Sequence, residues 1–264
     1  MYFKVCLGFR VITLFFVTHF IWFPIIKKLY FCCNHHNCIM NGILKNIFQF
    51  ISKLLASKNF YVSKSLQYST SFKQELDHNL DFVRYTTLEL CCNEIKLRKV
   101  EGNAAELGVY KGEFAKRVNQ LLPDKKLYLF DTFEGFDSRD VAKETEHNFS
   151  NGKQDFSNTN TDLVMGKMRY PDNCIIKKGF FPDTAQNLED RFCFVSIDAD
   201  LYEPILNGLI YFYPRLNKNG YIFIHDFNND FYKGSRQAVM QYCNENGINY
   251  VPVPDNAGTV IITK

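Results

Sequence analysis

Residues 104–122 read AAELGVYKGEFAKRVNQLL. A short, largely apolar run leads into a turn framed by Gly108 and Gly112, and an amphipathic stretch follows at once. Strand, glycine turn and helix in that order open a βαβ unit. The same alternation continues down the chain. It predicts strands over 104–109, 127–132, 174–178, 192–197, 221–225, 250–253 and 259–263, and helices over 113–122, 161–168, 203–216 and 235–245. Only residues 254–258 separate the last two strands. That is too short for a crossover helix, so an antiparallel hairpin is expected at the sheet edge. The fold class is therefore α/β, a Rossmann-like, mostly parallel seven-stranded sheet with a C-terminal antiparallel hairpin.

Composition is that of a globular protein: 264 residues, 46% hydrophobic and 22% charged, which excludes a disordered or fibrous chain. The net charge of +3 averages two unlike parts. The first 74 residues hold nine Lys/Arg and no Asp or Glu, and the remaining 190 hold 22 Lys/Arg against 28 Asp/Glu. A mildly acidic body argues against a nucleic-acid-binding core. Three regions are expected: a hydrophobic leader over 1–39, a helical cap over 40–99 that carries Phe82, Tyr85, Leu88 and Leu90, and the sheet domain over 100–264.

Residues 5–26, VCLGFRVITLFFVTHFIWFPII, have the length and apolarity of a borderline membrane span. The lysines after the run outnumber the basic residues before it, which would leave the body in the cytoplasm. The other reading is that translation begins at Met40. Ile43, Leu44, Ile47, Phe48, Ile51, Leu54 and Leu55 then form a helical stripe opposite Lys45, Gln49 and Lys53. That stripe suits a membrane surface or packing against the body, so membrane contact is expected through residues 1–56. The scattered cysteines of the body read as small buried hydrophobes in a reducing compartment. Cys32, Cys33, His35, His36 and Cys38 lack the separated ligand pairs of a zinc site, and acylation of cysteines flanking a membrane fits them better. An aromatic-rich cap and leader could also provide a homo-oligomer interface.

The chemistry-bearing residues lie where strands end. The glycine turn is neither G-x-G-x-x-G nor a P-loop. Asp131 closes the second strand about 20 residues later, where an acid accepts hydrogen bonds from a ribose diol; a turn or cap Asp is the plain alternative. Together the two favour a ligand containing adenosine without separating S-adenosylmethionine from NAD. The run VSIDADLY (195–202) brings Asp198 and Asp200 to the carboxyl edge, on one side if the strand continues that far. The run IFIHDF (222–227) brings His225 and Asp226 to the neighbouring strand's end. Two carboxylates and an imidazole suit a divalent cation, magnesium or manganese where oxygen donors dominate. Residues 137–160 form a 24-residue polar connection at the ligand-binding edge, a length typical of a lid.

These stretches, with KGFFPDT (178–184) and the segment from YFYPRLNKNG to GSRQAV, resemble the macrocin O-methyltransferase family over residues 82–248. Members are S-adenosylmethionine- and magnesium-dependent sugar O-methyltransferases of the class I methyltransferase fold. The resemblance implies that Glu106 and Gly108 line the methionine end of the cofactor, with Val109, Tyr110 and Gly112 in the same turn. Asp131 holds the ribose, Thr132, Phe133 and Asp198 complete the cofactor set, and residues 179–184 lie near the adenine. It further implies Asp198 and Asp226 as metal ligands, Asp200 as general base, and a recurring role for Arg236. His225 stands where the family often has an acidic residue, and it is expected as the third ligand. The partner is then a sugar hydroxyl of a glycan or glycosylated metabolite. A phenol or catechol acceptor would use the same carboxylates. A nicotinamide-dependent sugar enzyme would lack its fingerprint here. A non-catalytic membrane-associated protein would have no need for three adjacent acids.

Overall fold

A computed structural model describes residues 3–7, 10–14, 49–55, 57, 60–61 and 81–264. The chain divides into two compact units, Met1–Asp81 and Phe82–Lys264. In the first, Phe3–Leu7 pairs antiparallel with both Arg10–Leu14 and Phe60–Tyr61, and residues 49–55 are helical. The start of the expected membrane span is thus paired strand, in keeping with its β-branched Val5, Val11, Ile12 and Thr13. The rest of that span and the cysteine-rich stretch lie outside the described residues. Among the described residues no helix is long and apolar enough to cross a membrane.

The second unit carries the α/β fold. Helix α1 (Phe82–Leu97) is followed by β1 (Asn103–Leu107), α2 (Glu113–Leu121), β2 (Leu127–Asp131), α3 (Ser138–Glu146), α4 (Thr161–Met165), β3 (Cys174–Lys178), β4 (Phe192–Ile197), α5 (Tyr202–Arg215), β5 (Leu216–Ile224), α6 (Lys233–Asn246), β6 (Val251–Pro252) and β7 (Val260–Thr263). The sheet order is 3-2-1-4-5-7-6. β1 to β5 run parallel, and β7 pairs antiparallel with both β5 and β6. The expected hairpin is present, with its second strand inserted between its first and β5.

All six residues of β4 are buried, as a central parallel strand covered on both faces requires. The covering depends on an irregularity. Register with both neighbours shifts between Phe192 and Phe194, so a single extra residue reverses the alternation of faces. Phe192 meets Phe212 of α5 edge-on at 5.2 Å, while Phe194 stacks on Phe114 of α2 at 6.5 Å. Strict alternation would have sent both rings to one face. α1 packs beside α2 and β5, with Leu88, Cys92 and Ile95 buried. It belongs to the same compact unit as the sheet.

Three expectations are corrected. β5 begins at Leu216, five residues before the expected start, its early part taking up the register shift opposite β4. The helix expected over 161–168 ends at Met165, where Gly166 caps it. Residues 137–160 are not a structureless connection, because Asp137 caps α3 by accepting from the Arg139 amide at 3.0 Å.

Gly108 marks the tightest approach between strands. Its φ is +84°, and a Cβ there would lie 2.0 Å from the Asp198 carbonyl oxygen. Gly108→Ala should therefore cost about 3 kcal/mol through backbone strain and overpacking together. Gly247, with φ +64° and nothing within 4 Å, should lose only about 1 kcal/mol on the same change. Urea denaturation of both variants measures the difference, and equal losses would show that contact with Asp198 is not what requires glycine at 108.

Candidate active site

The carboxyl ends of β1, β2, β4 and β5 meet at one edge of the sheet. The glycine turn is held there by backbone bonds: the Gly108 amide donates to the Phe130 carbonyl at 2.9 Å, and the Asp198 amide to the Leu107 carbonyl at 2.8 Å. Asp131 ties the turn down. Its Oδ2 accepts from the amides of Val109 at 2.7 Å and Tyr110 at 2.8 Å, and its Oδ1 accepts from Phe133 at 2.6 Å. Tyr110 and Phe133 both sit at positive φ, conformations that these amide bonds hold in place. The carboxylate foreseen for a ribose thus organises the turn first, and its remaining lone pairs stay available to a diol. Both glycines make room for protein. Asp198 fills the space at Gly108, and Val164 and Met168 fill it at Gly112.

The acids of the fourth strand come together differently from the period-two expectation. β4 ends at Ile197, and Asp200 is at φ +59° in the turn that follows. Its backbone carbonyl accepts from the Ser235 hydroxyl at 2.8 Å at the start of α6. A turn, then, places Asp200 beside Asp198. His225 continues the pairing of β5, its amide donating to the Ile197 carbonyl at 3.0 Å. His225 Nδ1 lies 3.1 Å from Asp198 Oδ1 and 3.0 Å from Asp226 Oδ2. Asp226 Oδ1 accepts from the Asn229 side-chain amide at 2.7 Å.

One ligand atom from each of Asp198, His225 and Asp226 lies within 4.8 Å of the others. Two carboxylates and an imidazole nitrogen at that spacing fit a small divalent cation, and the nitrogen extends the choice beyond magnesium toward manganese or iron. The charges are strongly coupled. Burial opposes ionisation of Asp198, yet His225 and Arg84 hold it well below the usual carboxylate range. Burial and Arg84 oppose a charged His225, but Asp198 and Asp226 outweigh them and raise it to about 10. Burial, then Asp226 and Asp198, push Asp200 well above the usual range. Burial, then Asp198, does the same to Glu106, whose Oε2 is buried without a hydrogen-bond partner.

Arg84 escapes the sequence reading. Its guanidinium lies 4.2 Å from the Phe114 ring centroid and donates to Asp198 Oδ2 at 2.9 Å. The signal was present: Arg84 shares the helical stripe of Leu88, Cys92 and Ile95, all buried. An arginine on a buried stripe needs a carboxylate partner.

The 137–160 segment packs over this edge. Glu144, fully buried, accepts from the Tyr202 amide at 2.9 Å and so caps α5 from outside it. A Cβ on Gly234 would lie 2.5 Å from the same carboxylate oxygen. Phe156 meets Tyr110 and Phe136 edge-on, each at 5.1 Å. The Tyr110 hydroxyl donates to Asn158 at 2.7 Å, and the Tyr232 hydroxyl donates to Gln154. The later part of the segment is thereby fixed to both the glycine turn and the loop after Asp226, and its earlier part is held to α5 through Glu144. Near residues 179–184, Arg139 of α3 stacks 3.4 Å from the centroid of the Phe180 ring. Arg236 binds Asn228 at 2.9 Å and lies over Phe227, tying α6 to the loop that follows β5. Thr132 turns back to accept from the Glu134 amide at 3.2 Å.

A 3-2-1-4-5-7-6 sheet with an antiparallel seventh strand and its acids at the carboxyl edge defines a class I methyltransferase. The model of the family described as Macrocin-O-methyltransferase (TylF) matches residues 81–258. The chain belongs to that family. A relative from Streptomyces olivaceus, 8-demethyl-8-(2,3-dimethoxy-alpha-L-rhamnosyl)-tetracenomycin-C 4'-O-methyltransferase, is 27% identical over 188 residues, covering 67% of this chain and 70% of that protein. Among solved structures, the O-methyltransferase NovP superposes with a TM-score of 0.60 at 20% identity, over 69% of this chain and 79% of that one. The calicheamicin methyltransferase CalS11 gives 0.59 at 16% identity, over 87% and 94%. The apo form of CalS11 is described as a TDP-rhamnose 3'-O-methyltransferase.

Removing one partner of a buried pair strands the other charge. Arg84→Met should therefore lower the unfolding free energy by about 3 kcal/mol in urea titrations, and Arg84→Lys by less; no loss in either would remove the pair from the account. Asp140, on the inward face of α3, is raised by burial and by Asp137 and Glu203 to about 7. The folded protein then holds this proton more tightly than the unfolded chain does. Its contribution is full below the ordinary carboxylate value and is lost as pH rises through about 7. Thermal melts between those limits should show stability falling with pH, and Asp140→Asn should flatten the fall.

Proposed function

We propose that this protein is an S-adenosylmethionine-dependent, metal-assisted O-methyltransferase acting on a sugar hydroxyl of a glycan or glycosylated metabolite in the cytosol. The observation that carries the reading is the meeting of Asp198, His225 and Asp226 beside Asp200, at the edge where this fold family binds ligands. Membership of the Macrocin-O-methyltransferase family, and kinship to relatives named for rhamnosyl substrates, support the acceptor class. The five cysteines of residues 82–264 are free, and three of them are buried, in keeping with a reducing compartment.

Bound S-adenosylmethionine supplies an electrophilic methyl group, and a divalent cation lowers the pKa of a hydroxyl that it binds. The protein's own part is to position and to move a proton. Glu106, the 108–112 turn and Asp131 form the cofactor's side of the site, with Thr132 and Phe133 behind it. Asp198, His225 and Asp226 form the cation's side. Arg84 occupies one oxygen of Asp198 and leaves the other facing His225, so that carboxylate presents a single oxygen to the site. Asp200 takes the acceptor's hydroxyl proton on its carboxylate. Its burial beside two other acids raises its affinity for that proton, as a general base requires. The cover formed by 137–160 keeps water from the reacting hydroxyl.

Calorimetric titration of the full chain with S-adenosylmethionine and with NAD, with and without magnesium or manganese, tests the class. S-adenosylmethionine should bind and NAD should not. A separate cation heat should vanish in Asp198→Ala and Asp226→Ala. With TDP-rhamnose and catechol as acceptor probes, methyl transfer should favour the sugar. Asp200→Asn should lower kcat by roughly 10²–10⁴-fold while leaving S-adenosylmethionine affinity unchanged. Binding of NAD alone would overturn the reading, and transfer to catechol alone would move the acceptor class to phenols.

A further inference from the structure

We propose, on the reading of Asp200 as general base, that Glu144 of α3 is its positioning residue and fixes the turn from which that carboxylate takes the proton. β4 ends at Ile197. A tight turn then carries Asp200, closed by the Leu201 amide donating to the Ala199 carbonyl at 2.6 Å. Asp200, its middle residue, sits at φ +59°. A side chain in that region is strained and keeps its conformation only where the surroundings enforce it. Two groups do so. The Ser235 hydroxyl of α6 donates to the Asp200 carbonyl at 2.8 Å, and the Tyr202 amide donates to Glu144 Oε2 at 2.9 Å. Both peptide groups that follow Asp200 are thereby held.

Capping α5 is the plain role of Glu144, and a Ser, Thr, Asp or Asn at position 201 would have filled it locally. Leu201 stands there instead, fully buried and without a capping oxygen. The acceptor comes from 58 residues earlier in the chain. It is a fully buried carboxyl, pushed above its ordinary value by that burial. Burying such a group is a costly way to satisfy one amide. The fit around it is close. A Cβ on Gly234 would lie 2.5 Å from Oε2, 2.9 Å from Oε1 and 2.9 Å from Tyr202 Cβ. The carboxyl is thus seated between the starts of α5 and α6, and the residue after Gly234 is Ser235, the second brace. Asp200 and its two braces form one packed group, through which the 137–160 cover sets the aim of the base.

Methyl transfer from S-adenosylmethionine to TDP-rhamnose by the full chain, in Glu144→Ala, Glu144→Gln and Ser235→Ala, tests the proposal. Glu144→Ala should lower kcat by roughly 10²-fold, the scale of a misplacement of about 1 Å, with KM and S-adenosylmethionine affinity unchanged. Glu144→Gln keeps an acceptor for the Tyr202 amide and should recover most of that loss. The deciding measurement adds each substitution to Asp200→Asn. A residue that acts through Asp200 has little left to lose once that carboxylate is gone, so the combined losses should fall far short of multiplying. Losses that multiply, a Gln variant as slow as the Ala variant, or a loss in KM rather than kcat would overturn the proposal. If Glu144→Ala fails to fold, Ser235→Ala, which frees the same turn, carries the same cycle with Asp200→Asn. Hydrogen exchange needs no substrate: the Leu201 and Tyr202 amides should exchange faster in Glu144→Ala than in Glu144→Gln, and equal rates would also overturn the proposal. No transfer by the unsubstituted chain, with that exchange difference present, would defeat the methyltransferase reading and not the hold of Glu144 on the turn.

Discussion

Asp198 is where the catalytic unit is joined. Its carbonyl oxygen occupies the space that a side chain at Gly108 would need, and its amide closes the ladder onto Leu107. Its carboxylate holds Arg84 of α1 with one oxygen and faces His225 of β5 with the other. One residue therefore fixes the glycine turn, the first helix and the neighbouring strand end relative to each other. Such a concentration of charge is costly to bury, and it persists because each charge has a counterpart in place. Arg84 and His225 balance Asp198 and Asp226, and Asp200, with no cation of its own, is pushed well above the usual carboxylate range.

The same logic governs the cover over the site. Residues 137–160 are polar in sequence because much of their binding to the rest of the unit is polar: Glu144 to the first amide of α5, Asn158 to Tyr110, and Gln154 to Tyr232. Phe156 meets Tyr110 and Phe136, and Phe149 packs against His147 and Tyr202. The attachment points of the cover include Tyr110, in the turn assigned to the cofactor, and Tyr232, beside the acids assigned to the acceptor.

Much of this was legible in the residues. The alternation of apolar runs with amphipathic ones gave the strand order's raw material, and acids at two adjacent strand ends pointed to the edge where Asp198, His225 and Asp226 meet. What escaped was non-local. Arg84 lies 114 residues from Asp198, and no local pattern ties a helix's first turn to a distant strand end. The turn that brings in Asp200 and the bulge that reverses β4 are set by neighbouring strands rather than by propensity. Gly108 was legible as part of the turn, but not the approach of the Asp198 backbone just beyond β4. Helix α3 was hidden by its low apolar content, since its inward face is built from Asp140 and Glu144 rather than from aliphatic side chains.

The three amides gathered by Asp131 bear on kinetics as well as on architecture. A loop that must be ordered by its ligand charges that ordering against affinity and slows capture. Here the bends at Tyr110 and Phe133 are already locked by a carboxylate of the chain itself. With those bends set in advance, a nucleoside that binds at this edge has no turn to order, and that ordering is not subtracted from its affinity.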